Sequence, residues 1–119
     1  LGLPEWPEPV FDACAGRGGK TLLIAEAGKR VFAADMHAPR LAGLPREAAR
    51  LGLPPIPAFR ASATKMALAA PAGTILLDAP CSGLGVLSRR PDAKWRRQPE
   101  DIAGLIRLQG AMLEAAYAN

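Results

Sequence analysis

Between Val10 and Ala27 an apolar run, a glycine-rich stretch and a second apolar run follow one another as PVFDA, CAGRGGKT and LLIAEA. β-forming residues put a strand at Val10–Ala13. The apolar residues after the glycines put a helix at about Gly19–Ala27, with Gly28 of AGKR as its C-terminal cap. A glycine turn that joins a strand directly to a helix is the opening of an α/β unit.

The rest of the chain repeats that alternation. RVFAAD reads as a buried strand ending at Asp35. A helix follows over Pro45–Leu51, with the proline in its first turn. PIPAFRA reads as a third strand weakened by its prolines, and GTILLD as a strong fourth strand ending at Asp78. After the long loop APCSGLGVLSRRPDAKWRRQ, a last helix covers Pro99–Ala118. Ile102, Leu105, Ile106, Met112, Leu113, Ala116 and Tyr117 fall at helical spacing there, and Glu100 and Asp101 sit at the positive end of the dipole. Strands alternating with helices predict an α/β fold with a mainly parallel sheet, which binds ligands beyond the carboxyl ends of its strands. Asp12 to Lys20, Asp35, and Asp78 to Gly85 all fall at such ends.

With 119 residues, half of them hydrophobic and 22% charged, the chain is expected to form one domain, short for a complete α/β enzyme. No apolar run is long enough for a membrane span, and LGLPEWPEP lacks the basic start of a signal peptide, so a cytoplasmic location is expected. Cys14 and Cys81 form no CxxC pair, and His37 is the one histidine. Free thiols and no metal site are expected, with His37 as a turn residue facing solvent. Trp6, amid prolines, is expected to cover the sheet's N-terminal edge.

The net charge is +4, and the segment RRPDAKWRR carries an equal excess: Arg89, Arg90, Lys94, Arg96 and Arg97 against Asp92. Such clustering points to an anionic partner, nucleic acid first; a merely solvated basic loop is the competing explanation. Trp95, within this run, is expected to pack on the following helix.

The glycine loop has two functional readings. Gly19, Lys20 and Thr21 match the end of the nucleotide-binding pattern G-x-x-x-x-G-K-[ST], but Cys14 stands in place of its first glycine. TILLD would serve as the strand whose aspartate assists magnesium. The other reading is an S-adenosylmethionine site, where the glycines let the backbone approach the cofactor and a strand-end carboxylate accepts from its ribose. Asp35, 16 residues past Gly19, has a role only in this second reading. A plain tight turn remains the structural alternative to both.

DAPCSGLGVLSRRPDAKW, taken with DACAGRGGKT, resembles the Sun-type family of RNA cytosine-5 methyltransferases, which includes bacterial small-subunit ribosomal RNA enzymes. That family's motifs are close to D-x-C-A-A-P-G-G-K-T and to D-A-P-C-S-G-x-G followed by R-R-x-P-D-x-K-W. The likeness runs from about Val10 to Tyr117. It implies a Rossmann-like fold, S-adenosyl-L-methionine as cofactor, and RNA as partner, ribosomal RNA ahead of transfer RNA. In this chemistry a cysteine thiolate adds to C6 of cytosine and makes C5 nucleophilic enough to take a methyl group, after which a base removes the C5 proton.

Carried over, the resemblance makes Cys14, Ala15, Gly16, Arg17, Gly18, Gly19 and Lys20 the cofactor loop and Asp35 the ribose ligand. Asp78 orients the cytosine near the methyl group, with Lys20 close by, and Cys81 assists product release. Arg89, Arg90, Lys94, Arg96 and Arg97 contact the RNA backbone. The family's nucleophile lies in a later Thr-Cys motif, which this sequence lacks. It is therefore expected to be a partial methyltransferase domain, missing C-terminal strands and inactive alone, with a non-catalytic RNA-binding remnant of the same fold as the alternative. Gly16-Arg17 stands where the family has Ala-Pro, and Ser62 falls near the usual adenine-binding aspartate.

Overall fold

Val10–Asp12 (β1), Val31–Asp35 (β2), Ala58–Arg60 (β3) and Thr74–Leu76 (β4) pair in parallel in one sheet of order β3-β2-β1-β4. The computed structural model describes residues 2–81 and 99–119. The Val, Phe and Ala residues of β1 and β2 occupy its centre, where strands are covered on both faces. Helix α1 (Gly19–Glu26) joins β1 to β2. The short α2 (Ala38–Leu41) and α3 (Leu44–Arg50) join β2 to β3. The chain then returns across the sheet, so that β4 lies on the other side of β1. The direction of winding thus reverses between β1 and β4, which leaves a crevice at their carboxyl ends.

Alternation along β1 sends Val10 to one face and Phe11 to the other. Val10 packs with Ile24, Val31, Leu41, Leu44, Ala48 and Ile56 under α1 to α3. Phe11 packs with Ala13, Ala34, Ala63 and Met112, the last from helix α4 (Pro99–Tyr117). The Phe11 and Phe59 rings stack with centroids 6.0 Å apart. Trp6 packs against the first of these clusters, and Lys29 Nζ holds the N-terminal segment by donating to the carbonyls of Pro4 and Trp6 at 3.0 and 3.1 Å. At the other end of the chain the Asn119 side chain ties α4 down. It accepts from Leu68 N–H at 3.1 Å and donates to the carbonyls of Met66 (3.3 Å) and Ala115 (2.8 Å).

The boundaries differ from expectation where pairing runs out. β1 stops at Asp12, opposite Leu76, because Ala13 turns into the glycine loop after its N–H donates to the Leu76 carbonyl at 3.0 Å. Leu77 and Asp78 have no strand to pair with on that side, so β4 ends two residues short of Asp78. α1 closes at Glu26 through Gly28, whose φ of +77° permits the Gly28 N–H bond to Ala25 and the Lys29 N–H bond to Ile24. The helical stretch that Pro45 interrupts forms two helices, α2 before it and α3, which begins at Leu44 rather than Pro45; α4 ends at Tyr117. No helix among the described residues is long and apolar enough to cross a membrane.

Candidate functional site

The loop from Ala13 to Gly18 crosses the crevice between β1 and β4, and two buried aspartates hold it. Asp12, 1% exposed, accepts from Thr21 Oγ1 at 2.7 Å and from Cys14 N–H at 3.4 Å. Asp35, 6% exposed, accepts from Gly16 N–H at 2.9 Å through one oxygen and from His37 N–H at 2.7 Å through the other. One carboxylate closes the loop onto α1; the other ties it to the end of β2. Gly16 and Gly18 take the left-handed conformation that the turn requires, with φ of +58° and +87°. A Cβ on Gly16 would meet nothing within 4 Å, whereas one on Gly18 would lie 2.5 Å from Leu44 Cδ1.

Two cavities flank this loop and share Cys14, Gly16 and Asp78 in their walls. The first, about 390 Å³, runs from Gly16 and Asp35 past Met36, His37 and Ser62 to Leu108 and Met112 of α4. The second, about 360 Å³, is lined by Arg17, Gly19 and Lys20, with Asp12 at its base. Between them Lys20 Nζ and Asp78 Oδ2 form an ion pair with both side chains about half exposed. Pro80, in the first cavity's lining, accepts from Gln109 Nε2 of α4 at 2.8 Å.

Burial pushes the Asp12 carboxyl above its ordinary value, against the lowering effect of its bond from Thr21. The Cys14 thiol, half-buried and surrounded by Asp12, Asp35 and Asp78, is pushed up to about 11, chiefly by burial. It is therefore a neutral thiol near pH 7. Cys81 is a free, exposed thiol, in the lining of neither cavity.

Of the residues singled out from sequence, Cys14, Gly16, Asp35, Asp78 and Ser62 meet in the first cavity. Ala15 turns into the core and Gly18 faces Leu44. Arg17, Gly19 and Lys20 line the second cavity instead. Arg89, Arg90, Lys94, Arg96, Arg97 and Trp95 lie outside the described residues. His37, exposed as expected, also lines the first cavity, as do Met36 and Arg40. Their place just past the end of β2 was the available signal; that Leu108 and Met112 of α4 would close the same cavity had none.

The triphosphate reading of the loop is not supported. It needs the hydroxyl after the lysine free to bind magnesium, but Thr21 is 0% exposed and donates to Asp12.

The first cavity suits S-adenosyl-L-methionine in three respects. Its volume lies in the roughly 300–1,000 Å³ range of small-molecule sites. Gly16 leaves open space where a side chain would intrude. Asp35 has two of its roughly four lone-pair directions committed to backbone N–H groups, which leaves acceptors for a pair of ribose hydroxyls.

A family model described as 16S rRNA methyltransferase RsmB/F matches residues 3–119. The protein named probable ribosomal RNA small subunit methyltransferase B from Synechocystis is 42% identical over 94% of this chain and 26% of its own length. Ribosomal RNA small subunit methyltransferase B from Erwinia tasmaniensis is 40% identical over 98% of this chain and 28% of its own length. The crystal structure of NSun6 from Pyrococcus horikoshii with SFG superposes with a TM-score of 0.78 at 35% identity, over 90% of this chain and 28% of that one. The chain thus spans about a quarter of the length of the curated relatives it matches.

Proposed function

This chain belongs to the 16S rRNA methyltransferase RsmB/F family, and from that premise we propose that it carries the S-adenosyl-L-methionine site of an enzyme that methylates C5 of cytosine in small-subunit ribosomal RNA. One observation carries the reading: two cavities meet at a wall of Cys14, Gly16 and Asp78, with the Lys20–Asp78 ion pair beside the junction. A methyl donor in one cavity and a base entering through the other would meet at that wall. The bound SFG of the NSun6 neighbour, an S-adenosylmethionine analogue, supports the choice of donor.

In this assignment Asp35 accepts from the ribose hydroxyls while Gly16 lets the backbone approach the cofactor. When bound, S-adenosyl-L-methionine supplies an electrophilic methyl group. Asp78 accepts from the exocyclic amine of the cytosine, and Lys20, paired with it, holds the carboxylate in orientation. Cys81 serves product release, and the attacking thiolate is assigned to a Thr-Cys motif, which residues 1–119 do not contain. The high value of Cys14 makes that thiol unsuited to nucleophilic attack. Arg89, Arg90, Lys94, Arg96 and Arg97 supply cations for the RNA backbone, so affinity falls as salt rises.

The test uses the complete protein. It is titrated with S-adenosylmethionine and separately with ATP and magnesium, then incubated with labelled cofactor and small-subunit ribosomal RNA. The expected results are binding of the first ligand alone, label recovered as 5-methylcytidine, and at least tenfold weaker cofactor binding in Asp35→Ala. Label in another nucleoside, or binding of ATP instead, overturns the reading.

A further inference from the structure

The second cavity's lining includes one cation, Arg17, that has no ionic partner among the described residues. Five charged or chargeable groups line it: Asp12, Cys14, Arg17, Lys20 and Asp78. Asp12 is engaged by Thr21 and by the Cys14 N–H, and Cys14 is a neutral thiol. Lys20 and Asp78 cancel one another in an ion pair. Arg17 lies on the rim, exposed, and no other described residue forms an ion pair or hydrogen bond with it. Its guanidinium thus stands at the cavity as a cation free to take an anionic ligand. Gly19 and Lys20, at the start of α1, add backbone N–H groups that have no partner within the helix.

We infer that Arg17 binds a phosphodiester of the RNA beside the nucleotide that enters the second cavity, and not the cofactor. The inference rests on the proposed RNA methyltransferase function. Arg17 is absent from the lining of the first cavity, where Asp35 and Ser62 lie, and the Cys14–Gly16–Asp78 wall stands between. A base reaches an enzyme pocket by leaving its stack, which brings its flanking phosphates to the pocket mouth. A guanidinium fork matches two non-bridging phosphate oxygens, which a single ammonium does less well. Arg17 is thereby a positioning residue: it holds the strand while Asp78 orients the base.

The experiment compares the complete wild-type protein with Arg17→Gln and Arg17→Lys. Binding of a small-subunit ribosomal RNA fragment is measured over a series of salt concentrations, and binding of S-adenosylhomocysteine by calorimetry. Arg17→Gln is expected to lose roughly tenfold in RNA affinity. Its plot of log affinity against log salt should flatten by about 0.7 to 0.9. Arg17→Lys should recover the salt slope but only part of the affinity, and cofactor affinity should stay within twofold in both. An unchanged RNA affinity in Arg17→Gln overturns the inference and leaves Arg17 a solvent-facing side chain. A loss of S-adenosylhomocysteine affinity instead returns Arg17 to the cofactor loop. Failure of the wild-type protein to bind RNA at all overturns the proposed function itself, a result distinct from either.

Discussion

Thr21→Val tests whether Asp12 closes the glycine loop. Valine keeps the branched shape of threonine and removes the single hydroxyl that donates to Asp12 Oδ2 at 2.7 Å. Both side chains are essentially sealed from water, at 0% and 1% exposure, so no solvent molecule takes the lost donor's place. The remaining bond from Cys14 N–H is long, at 3.4 Å, and serves the other oxygen. A hydrogen bond to a buried charged group, with the penalty for leaving its partner unsatisfied, makes the expected cost about 2–4 kcal/mol at pH 7. The pH dependence has a definite sign. Burial raises the native value of Asp12 above its unfolded value, so the native state binds the proton more readily, and ionisation of Asp12 costs stability as pH rises through that window. The Thr21 hydroxyl lowers the native value; its loss raises it further and widens the window. The variant's deficit is therefore largest above that window and narrows as pH falls through it toward the ordinary carboxylate range. Urea unfolding of the complete protein, followed by circular dichroism at pH 7 and pH 5, measures both effects. The cycle with Asp12→Asn, which cannot ionise, should give a coupling of about 1–2 kcal/mol. A deficit below about 0.5 kcal/mol, equal at both pH values and uncoupled from residue 12, would refute the reasoning.

Gly18→Ala and Gly16→Ala share the strain of a left-handed backbone, but only the first drives a methyl group to 2.5 Å from buried Leu44. Gly18→Ala should cost about 2–4 kcal/mol and Gly16→Ala about 1–2; equal unfolding midpoints would contradict this. Cys14, with a value of about 11, holds roughly one part in a thousand as thiolate at pH 8. Iodoacetamide at that pH should therefore label exposed Cys81 and spare Cys14 in the folded protein, as peptide mass spectrometry would report; comparable labelling of both thiols would mean that Cys14 is more open than its surroundings indicate.

The order of elements was legible because every strand that matters carries its own local signal. Val10–Asp12 and Val31–Asp35 are dense in apolar residues, and Gly28 marks a helix end that the observed cap hydrogen bonds occupy. Strand ends were less legible, because they depend on the neighbour: GTILLD is apolar to Leu77, but pairing stops at Leu76 where β1 turns away. The short α2 was only partly legible, because Ala38–Leu41 is a single turn with too few residues to show a period. Within the site, motif spacing located the loop and both strand-end aspartates, but not which cavity each loop residue faces. In a tight turn successive residues face unrelated directions, so Ala15 packs into the core, Gly16 borders both cavities and Arg17 lines only the second.

Asp12 and Asp35 are alike in sequence, each an aspartate ending a buried strand, and their partners separate their roles. Asp12 binds a side chain of α1 and is shut away beneath the loop, so its carboxylate is structural. Asp35 binds only backbone N–H groups and lines the first cavity, so part of its acceptor capacity is left for that cavity. Together they grip the loop from β1 and from β2, and their combined charge with Asp78 has a cost borne by Cys14, whose thiolate is disfavoured. A loop fixed in this way presents its open Gly16 without rearrangement when a ligand arrives, which spares the ordering penalty that a mobile loop would impose on binding. Under the proposed function, the thiol that serves the reaction is expected to lie away from this anionic grip. Of the chain's two thiols, Cys81 meets that condition: it is exposed and outside both cavity linings, whereas Cys14 is held within.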